Sequence, residues 1–222
     1  MAYHPIFLDI DGRPCVVIGG GAVAERKLRS LLDGGAKVTV ISPGVTPGID
    51  ELYRAGRITL HRRLYEDGDL KGHLLAYSAT NRRGVNRTVE GEAKREGVLL
   101  NVVDDPGLCD FITPALVQRG ALLLAVSTSG KSPAMARRVR EKLEALFGEE
   151  YAPFLELVGA IRMKLLKKGG DSVTFNKIYE GLIDSPLLEW IRDGEVEEID
   201  VFLDNLLGDD YRLAQLGVRI GK

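Results

Sequence analysis

Residues 14–26 read Pro-Cys-Val-Val-Ile-Gly-Gly-Gly-Ala-Val-Ala-Glu-Arg, and this segment constrains the fold more than any other. Cys15–Ile18 is a short apolar run of the kind that forms a buried parallel strand. It stops on Gly19-Gly20-Gly21, and a helical pattern begins at Ala22. The fixed points Gly19, Gly21 and Ala24 give G-x-G-x-x-A in a strand–turn–helix setting. The first glycine permits a tight turn, the second admits a pyrophosphate to the backbone, and the alanine lets helix and strand pack closely. The helix N-terminus then presents unpaired N–H groups to phosphates. A dinucleotide site is expected here.

The pattern around this motif alternates. Ala22–Asp33 reads as a helix with Val23, Leu28, Leu31 and Leu32 inward, and it is followed by strand Lys37–Ile41. A short helix over Thr46–Ala55, strands at Arg57–His61 and Leu74–Ser78, a helix over Val85–Arg95 and a strand over Val98–Val103 complete the set. Such alternation implies a parallel sheet covered by helices, with ligands beyond the strand C-termini. Those ends carry Gly19–Ala22, Ser42-Pro43-Gly44, Ser78–Asn81 and Val103–Pro106. Many dinucleotide enzymes place an acid after the second strand to hold the ribose. Here the position is Ser42, and no Arg or Lys follows before Glu51, so the local sequence leans to NAD over NADP.

After Asp105 the pattern changes. Phe111–Arg119 reads as a short helix and Ala121–Ser127 as a strand. Ser132-Pro133 opens a helix whose Met135, Val139, Leu143 and Leu146 form one apolar stripe. Phe154, Val158, Ile161 and Leu165 make another, ended by Gly169-Gly170, and segments near 174–183, 186–192 and 195–207 also read as helices. The expected organisation is an α/β Rossmann-like domain over 1–110, a central segment over 111–148 and an all-helical domain over 149–222.

Composition narrows the function classes. A net charge of −2 gives no general pull toward nucleic acid or anionic membrane, and basic residues 137–142 lack interleaved aromatics. No apolar run approaches the ~20 residues of a membrane helix. Met1-Ala-Tyr-His-Pro5 has no basic segment before an apolar one, so a secretory leader is not expected. Two cysteines, one inside the first strand, do not make a disulfide framework. A soluble cytoplasmic protein is the expectation. The three histidines are scattered without metal-ligand spacing, so no structural metal site is expected.

Two polar clusters could carry chemistry. Asn101-Val-Val-Asp-Asp-Pro106 leaves a buried strand and ends in carboxylates beside the expected cofactor site. Such a carboxylate can accept a proton from a substrate or bind a metal ion that has lost water ligands, or can simply close an Asx turn. Ser127-Thr-Ser-Gly-Lys-Ser-Pro133 is a small-residue loop able to bind an anion. The following Arg137, Arg138, Arg140 and Lys142 form either a solvated face or further anion contacts.

These motifs together resemble one family. Pro5-Ile-Phe-Leu8, Cys15 through Lys27, Gly35-Ala-Lys-Val-Thr-Val40, Ala79-Thr-Asn81, Asn101-Val-Val-Asp104 and Val126 through Pro133 resemble the siroheme synthase N-terminal region, in order and near its usual spacing over about residues 3–165. The resemblance implies NAD-dependent oxidation of the tetrapyrrole precorrin-2 to sirohydrochlorin, with ferrous iron insertion to sirohaem as an optional second step. It implies a homodimer built by the central segment. It also implies Asp104 as the catalytic carboxylate. Cofactor contacts fall on Gly19, Gly21, Ala22, Val23, Ser42, Pro43, Gly44 and Thr80. Ser127, Thr128 and Ser129 lie near the tetrapyrrole, and its carboxylates make Lys131, Arg137, Arg119 and Arg138 candidate partners. The methyltransferase domain of fused siroheme synthases has no counterpart in these residues, and those beyond about 170 match no family motif. The reading from another class is an NAD-sensing module without turnover.

Overall fold

The structure is a computed structural model that describes residues 3–169 and 172–220. Met1, Ala2 and Gly170, which entered the leader and helix-stop expectations, lie outside the described residues. The chain divides into two compact units, Met1–Thr113 and Pro114–Lys222.

The first unit contains β1 (Pro14–Ile18), α1 (Ala22–Asp33), β2 (Lys37–Ile41), α2 (Pro47–Arg54), β3 (Thr59–His61), β4 (Leu75–Ser78), α3 (Arg83–Glu96) and β5 (Leu99–Val102). All five strands are parallel, in the order β3-β2-β1-β4-β5, with Val17 beside both Val40 and Tyr77. The Rossmann-like expectation describes this unit. Apolar runs form strands buried on both faces, because helices or loops cover each side. Cys15, Val17, Val38 and Val40 meet Ala24, Leu28 and Leu31 of α1 and Ile49 of α2. Val16, Ile18, Ala76, Leu100 and Val102 meet Val89 and Ala93 of α3 on the other face. The helix ends follow local chemistry. Thr46 caps α2 by accepting the Ile49 N–H, with Pro47 in the first turn, and Gly97 ends α3 in a left-handed conformation.

The outer edge of β5 is closed without a further strand. Asp110 accepts the Leu100 N–H at 2.9 Å and returns its own N–H to the Leu100 carbonyl at 2.8 Å. Asn101, nearly buried, donates from its amide to the Phe111 carbonyl at 2.8 Å. Backbone groups that would otherwise be a free edge are satisfied this way.

The second unit begins with β6 (Ala115–Arg119) and β7 (Leu122–Val126), an antiparallel hairpin, followed by α4 (Pro133–Leu146). This corrects the helix expected over Phe111–Arg119. Pro114 would sit inside that helix, without an N–H and against the preceding turn. Gly120, at φ +55°, instead turns the chain so that Ala115–Arg119 pairs with β7. The stripe expected on α4 is also corrected. Met135 is 56% exposed and Leu146 67%, while Ala136 is the buried residue of this helix.

α5 (Tyr151–Lys167), α6 (Ser172–Ile183), α7 (Leu187–Asp193), α8 (Val196–Leu207) and α9 (Leu213–Leu216) build a separate helical core. Phe154, Leu157 and Ile161 of α5 pack with Leu182, Leu187, Ile191, Ile199, Leu203 and Tyr211, and Val158 and Leu165 sit at its rim. No helix among the described residues is long and apolar enough to cross a membrane.

Candidate functional site

A cleft of about 530 Å³ opens beyond the C-terminal ends of β1, β2, β4 and β5. Its floor is the glycine turn. Gly19 has φ +120°, and a Cβ there would lie 2.4 Å from the Ala79 carbonyl oxygen. A Cβ on Gly20 would lie 2.0 Å from the Gly44 carbonyl oxygen. A Cβ on Gly21 meets no protein atom within 4 Å. The first two glycines are therefore required by the fold, whereas the third leaves space that the protein does not fill. Gly21 also caps α1 without any side-chain hydrogen bond, so the first N–H groups of that helix remain available. An open cradle at a helix N-terminus fits the pyrophosphate of a dinucleotide.

The side walls come from the other strand ends. Ser42, Pro43 and Gly44 follow β2. The Ser42 hydroxyl donates to the Gly44 carbonyl at 2.7 Å, so it shapes this turn from within. Ala79, Thr80, Asn81 and Arg82 follow β4. That loop is anchored by Ser78, whose hydroxyl donates to the Asn86 side-chain oxygen at 2.8 Å, while the Asn86 amide donates to the Thr80 carbonyl at 3.3 Å. Val103 and Asp104 follow β5. Asp105 does not line the cleft; its backbone carbonyl accepts from Leu108 and from the Cys109 thiol.

Asp104 is exposed and has φ +62°, the left-handed region that non-glycine residues enter at a cost of about 1 kcal/mol. Among the described residues one other non-glycine residue has positive φ, Ser129 at +51°. Both belong to the polar clusters singled out for chemistry. Strain of this kind survives where the surroundings over-determine it, and such places concentrate at functional sites.

The serine-rich loop lies in the second unit. Thr128 uses its hydroxyl within the loop, donating to the Ser132 carbonyl and accepting the Ser132 N–H, each at 3.0 Å. Ser127 accepts the Ser129 N–H at 3.0 Å, and Ser132 caps α4 through the Met135 N–H at 3.2 Å. Ser129 and Lys131 are exposed at the loop tip. Arg137 is exposed and pairs with Glu141 one turn on, at 2.9 Å. Arg119 is differently employed. Its guanidinium donates to the carbonyls of Gln118, Glu144 and Phe147 and pairs with Glu149 at 3.2 Å, closing the C-terminal end of α4.

All eight residues expected at the cofactor, together with Asp104, line the one cleft. Gly20, inside the strand-end segment Gly19–Ala22, lines it as well, and Leu64, Tyr65, Arg82 and Val85 line it without having been anticipated. Leu64 and Tyr65 carry no sequence signal. Beside the unit's last residues, Lys27 donates to Thr113 at 2.9 Å and lies over the Tyr77 ring at 4.9 Å, and burial lowers its pKa from the ordinary lysine value.

Comparison with known proteins accords with this geometry. A family model for NAD(P)-binding domains matches residues 6–115, and the model of the sirohaem biosynthesis protein central region matches residues 119–146. The siroheme synthase of Methylococcus capsulatus is 38% identical over 90% of this chain. The chain belongs to the siroheme synthase N-terminal family. Siroheme synthase 1 of Aeromonas salmonicida is 36% identical over 95% of the chain. The chain spans 42% and 45% of the length of these two siroheme synthases. Among solved structures, SirC, a precorrin-2 dehydrogenase, superposes with a TM-score of 0.74 at 27% identity, covering 84% of this chain and 92% of SirC. Family membership makes NAD the dinucleotide that suits the glycine cradle.

Proposed function

We propose that this chain is an NAD-dependent precorrin-2 dehydrogenase, acting on the route to sirohaem. The observation that carries the reading is the placement of Asp104, on a strained backbone, in the same cleft as the glycine cradle. The likeness to SirC and to the siroheme synthases supports the substrate.

Gly19, Gly21, Ala22 and Val23 hold the pyrophosphate, Ser42-Pro43-Gly44 contact the adenosine side, and Thr80 packs against the cofactor. When bound, NAD⁺ supplies the acceptor for the hydride that leaves the macrocycle. Asp104, exposed at the end of β5, takes the accompanying proton. The carboxylates of the tetrapyrrole are met by donors of Ser127, Thr128 and Ser129 and by Lys131 and Arg137. For Thr128 this donor is not the hydroxyl, which its own loop uses. Arg119 is the weakest of the candidate substrate partners, because three of its five N–H donors already meet carbonyls of Gln118, Glu144 and Phe147. Ferrous iron, where insertion follows, is a substrate. No group of three His, Cys, Asp or Glu among the described residues could hold a resident metal. The homodimer forms through the β6–β7 hairpin.

The deciding experiment is anaerobic. Purified protein, enzymatically generated precorrin-2 and NAD⁺ are followed by absorbance, and stoichiometric NADH with sirohydrochlorin is expected. Asp104→Asn should lower the rate by about 100-fold while NAD⁺ binding persists. Ferrous iron added to the same cuvette reads the insertion step as protein-dependent acceleration. NAD⁺ binding without any NADH would replace this reading by a sensing module.

A further inference from the structure

Parallel strands that are not neighbours are ordinarily connected through a helix. β3 and β4 are separated in the sheet by β2 and β1, yet residues 62–74, which join them, contain no helix. The connection is a strap laid beside α3. Leu70 is fully buried in the core that α3 shares, and its backbone N–H needs an acceptor there. Glu92 of α3 provides it at 2.8 Å. The same carboxylate, on a residue only 1% exposed, accepts the hydroxyl of Tyr65. Burial, and then the Glu92 carboxylate, push the Tyr65 hydroxyl far above the ordinary tyrosine pKa, so it remains a donor. Arg63–Asp69 and Arg95–Asp67 contacts, each 2.6 Å, tie down the rest of the strap.

Tyr65 and its neighbour Leu64 line the cleft. They follow β3 at one edge of the sheet, whereas Asp104 follows β5 at the other. With the reacting end of the cofactor at Asp104, the strap leaves β3 on the adenosine side of the cleft, and Tyr65 ties it across to Glu92 of α3. We propose that Glu92 is a positioning residue that acts through Tyr65, fixing the strap as the wall against the adenosine half of the dinucleotide and so setting cofactor affinity rather than the chemical step. The proposal rests on the dinucleotide reading of the cleft.

The test uses the full chain and ADP-ribose, which is the dinucleotide without its nicotinamide, in calorimetric titrations of the wild type, Tyr65→Phe, Glu92→Gln and the double variant. Each single variant should raise the Kd for ADP-ribose and the KM for NAD⁺ by about fivefold, less than the full worth of a hydrogen bond to a charged group because that bond holds the wall and does not itself touch the ligand. At saturating NAD⁺ kcat should stay within about twofold, since the strap is remote from the reacting end. The double variant should be no worse than the weaker single, because both remove one interaction. Tyr65→Phe keeps the ring and all apolar packing, so it reports even if Glu92→Gln unfolds. Unchanged ADP-ribose affinity in Tyr65→Phe, or a loss confined to kcat, overturns the proposal. A wild type that binds neither ADP-ribose nor NAD⁺ overturns the cofactor reading beneath it.

Discussion

Three adjacent glycines perform separable physical jobs, and substitution should separate them. An alanine at Gly20 drives its Cβ to 2.0 Å from a backbone oxygen of the β2 turn, which can retreat only by displacing Ser42 and Gly44. Gly20→Ala should therefore destabilise the first unit by about 2 kcal/mol or more, with NAD⁺ affinity falling as a consequence. An alanine at Gly21 meets no protein atom within 4 Å, and its φ of −82° suits any residue. Gly21→Ala should melt within about 0.5 kcal/mol of wild type and still lose NAD⁺ by more than tenfold, because its methyl occupies the phosphate's approach. Thermal melts and NAD⁺ titrations of both variants check the contrast; equal melting losses in the two would show that Gly21 is structural after all. The roles of Gly19, Gly21 and Ala24 are legible in the sequence because turn, approach and packing each demand a residue type. The demand on Gly20 comes from Gly44, more than twenty positions away, and spacing alone does not reveal it.

At the scale of elements, what could be read depended on whether a segment was governed by its own residues. α1 and β2 lie where their apolar runs and bounding glycines place them, and every strand of the sheet was expected within two residues. The strap at 62–74 has no periodicity, and Glu92 looks like any charged helix residue until the buried Leu70 N–H is seen opposite it. Residues 115–119 become a strand through pairing with β7, a partner that their own pattern does not announce. Arg119 shows the same effect on function. In sequence it is one of several basic residues suited to a carboxylate-rich substrate. In the structure two of its donors meet the Glu144 and Phe147 carbonyls at the end of α4, where a cation also complements the helix dipole. Arg119→Ala should lower stability by about 1–2 kcal/mol and leave the KM for precorrin-2 unaltered. Denaturant melts with initial-rate kinetics check this, and a raised KM at unchanged stability would return Arg119 to the substrate site.

At the scale of the molecule, the hairpin of the second unit leaves an apolar face and two strand edges open. A two-stranded ribbon is marginal by itself and needs its faces covered. Val117, paired with Leu124, is buried on the inner face. The outer face carries Leu116 opposite Ala125 and Gln118 opposite Leu123, with Leu116 42% and Leu123 38% exposed. Each strand also has an edge whose backbone groups have no partner strand among the described residues. An apolar face bordered by open strand edges is the surface a second copy can cover isologously, each hairpin extending or stacking on the other. Charge on that face should therefore act on assembly and not on folding. Leu116→Glu combined with Leu123→Glu places carboxylates where they are hydrated in a monomer and buried unpaired in a dimer, a difference of several kcal/mol. Light scattering after size exclusion should show a dimer for the wild type and a monomer for the double variant, with helical content and ADP-ribose affinity retained. A double variant that remains dimeric would move the interface elsewhere. A wild type that is monomeric at micromolar concentration would leave the exposed leucines without a second copy to meet them.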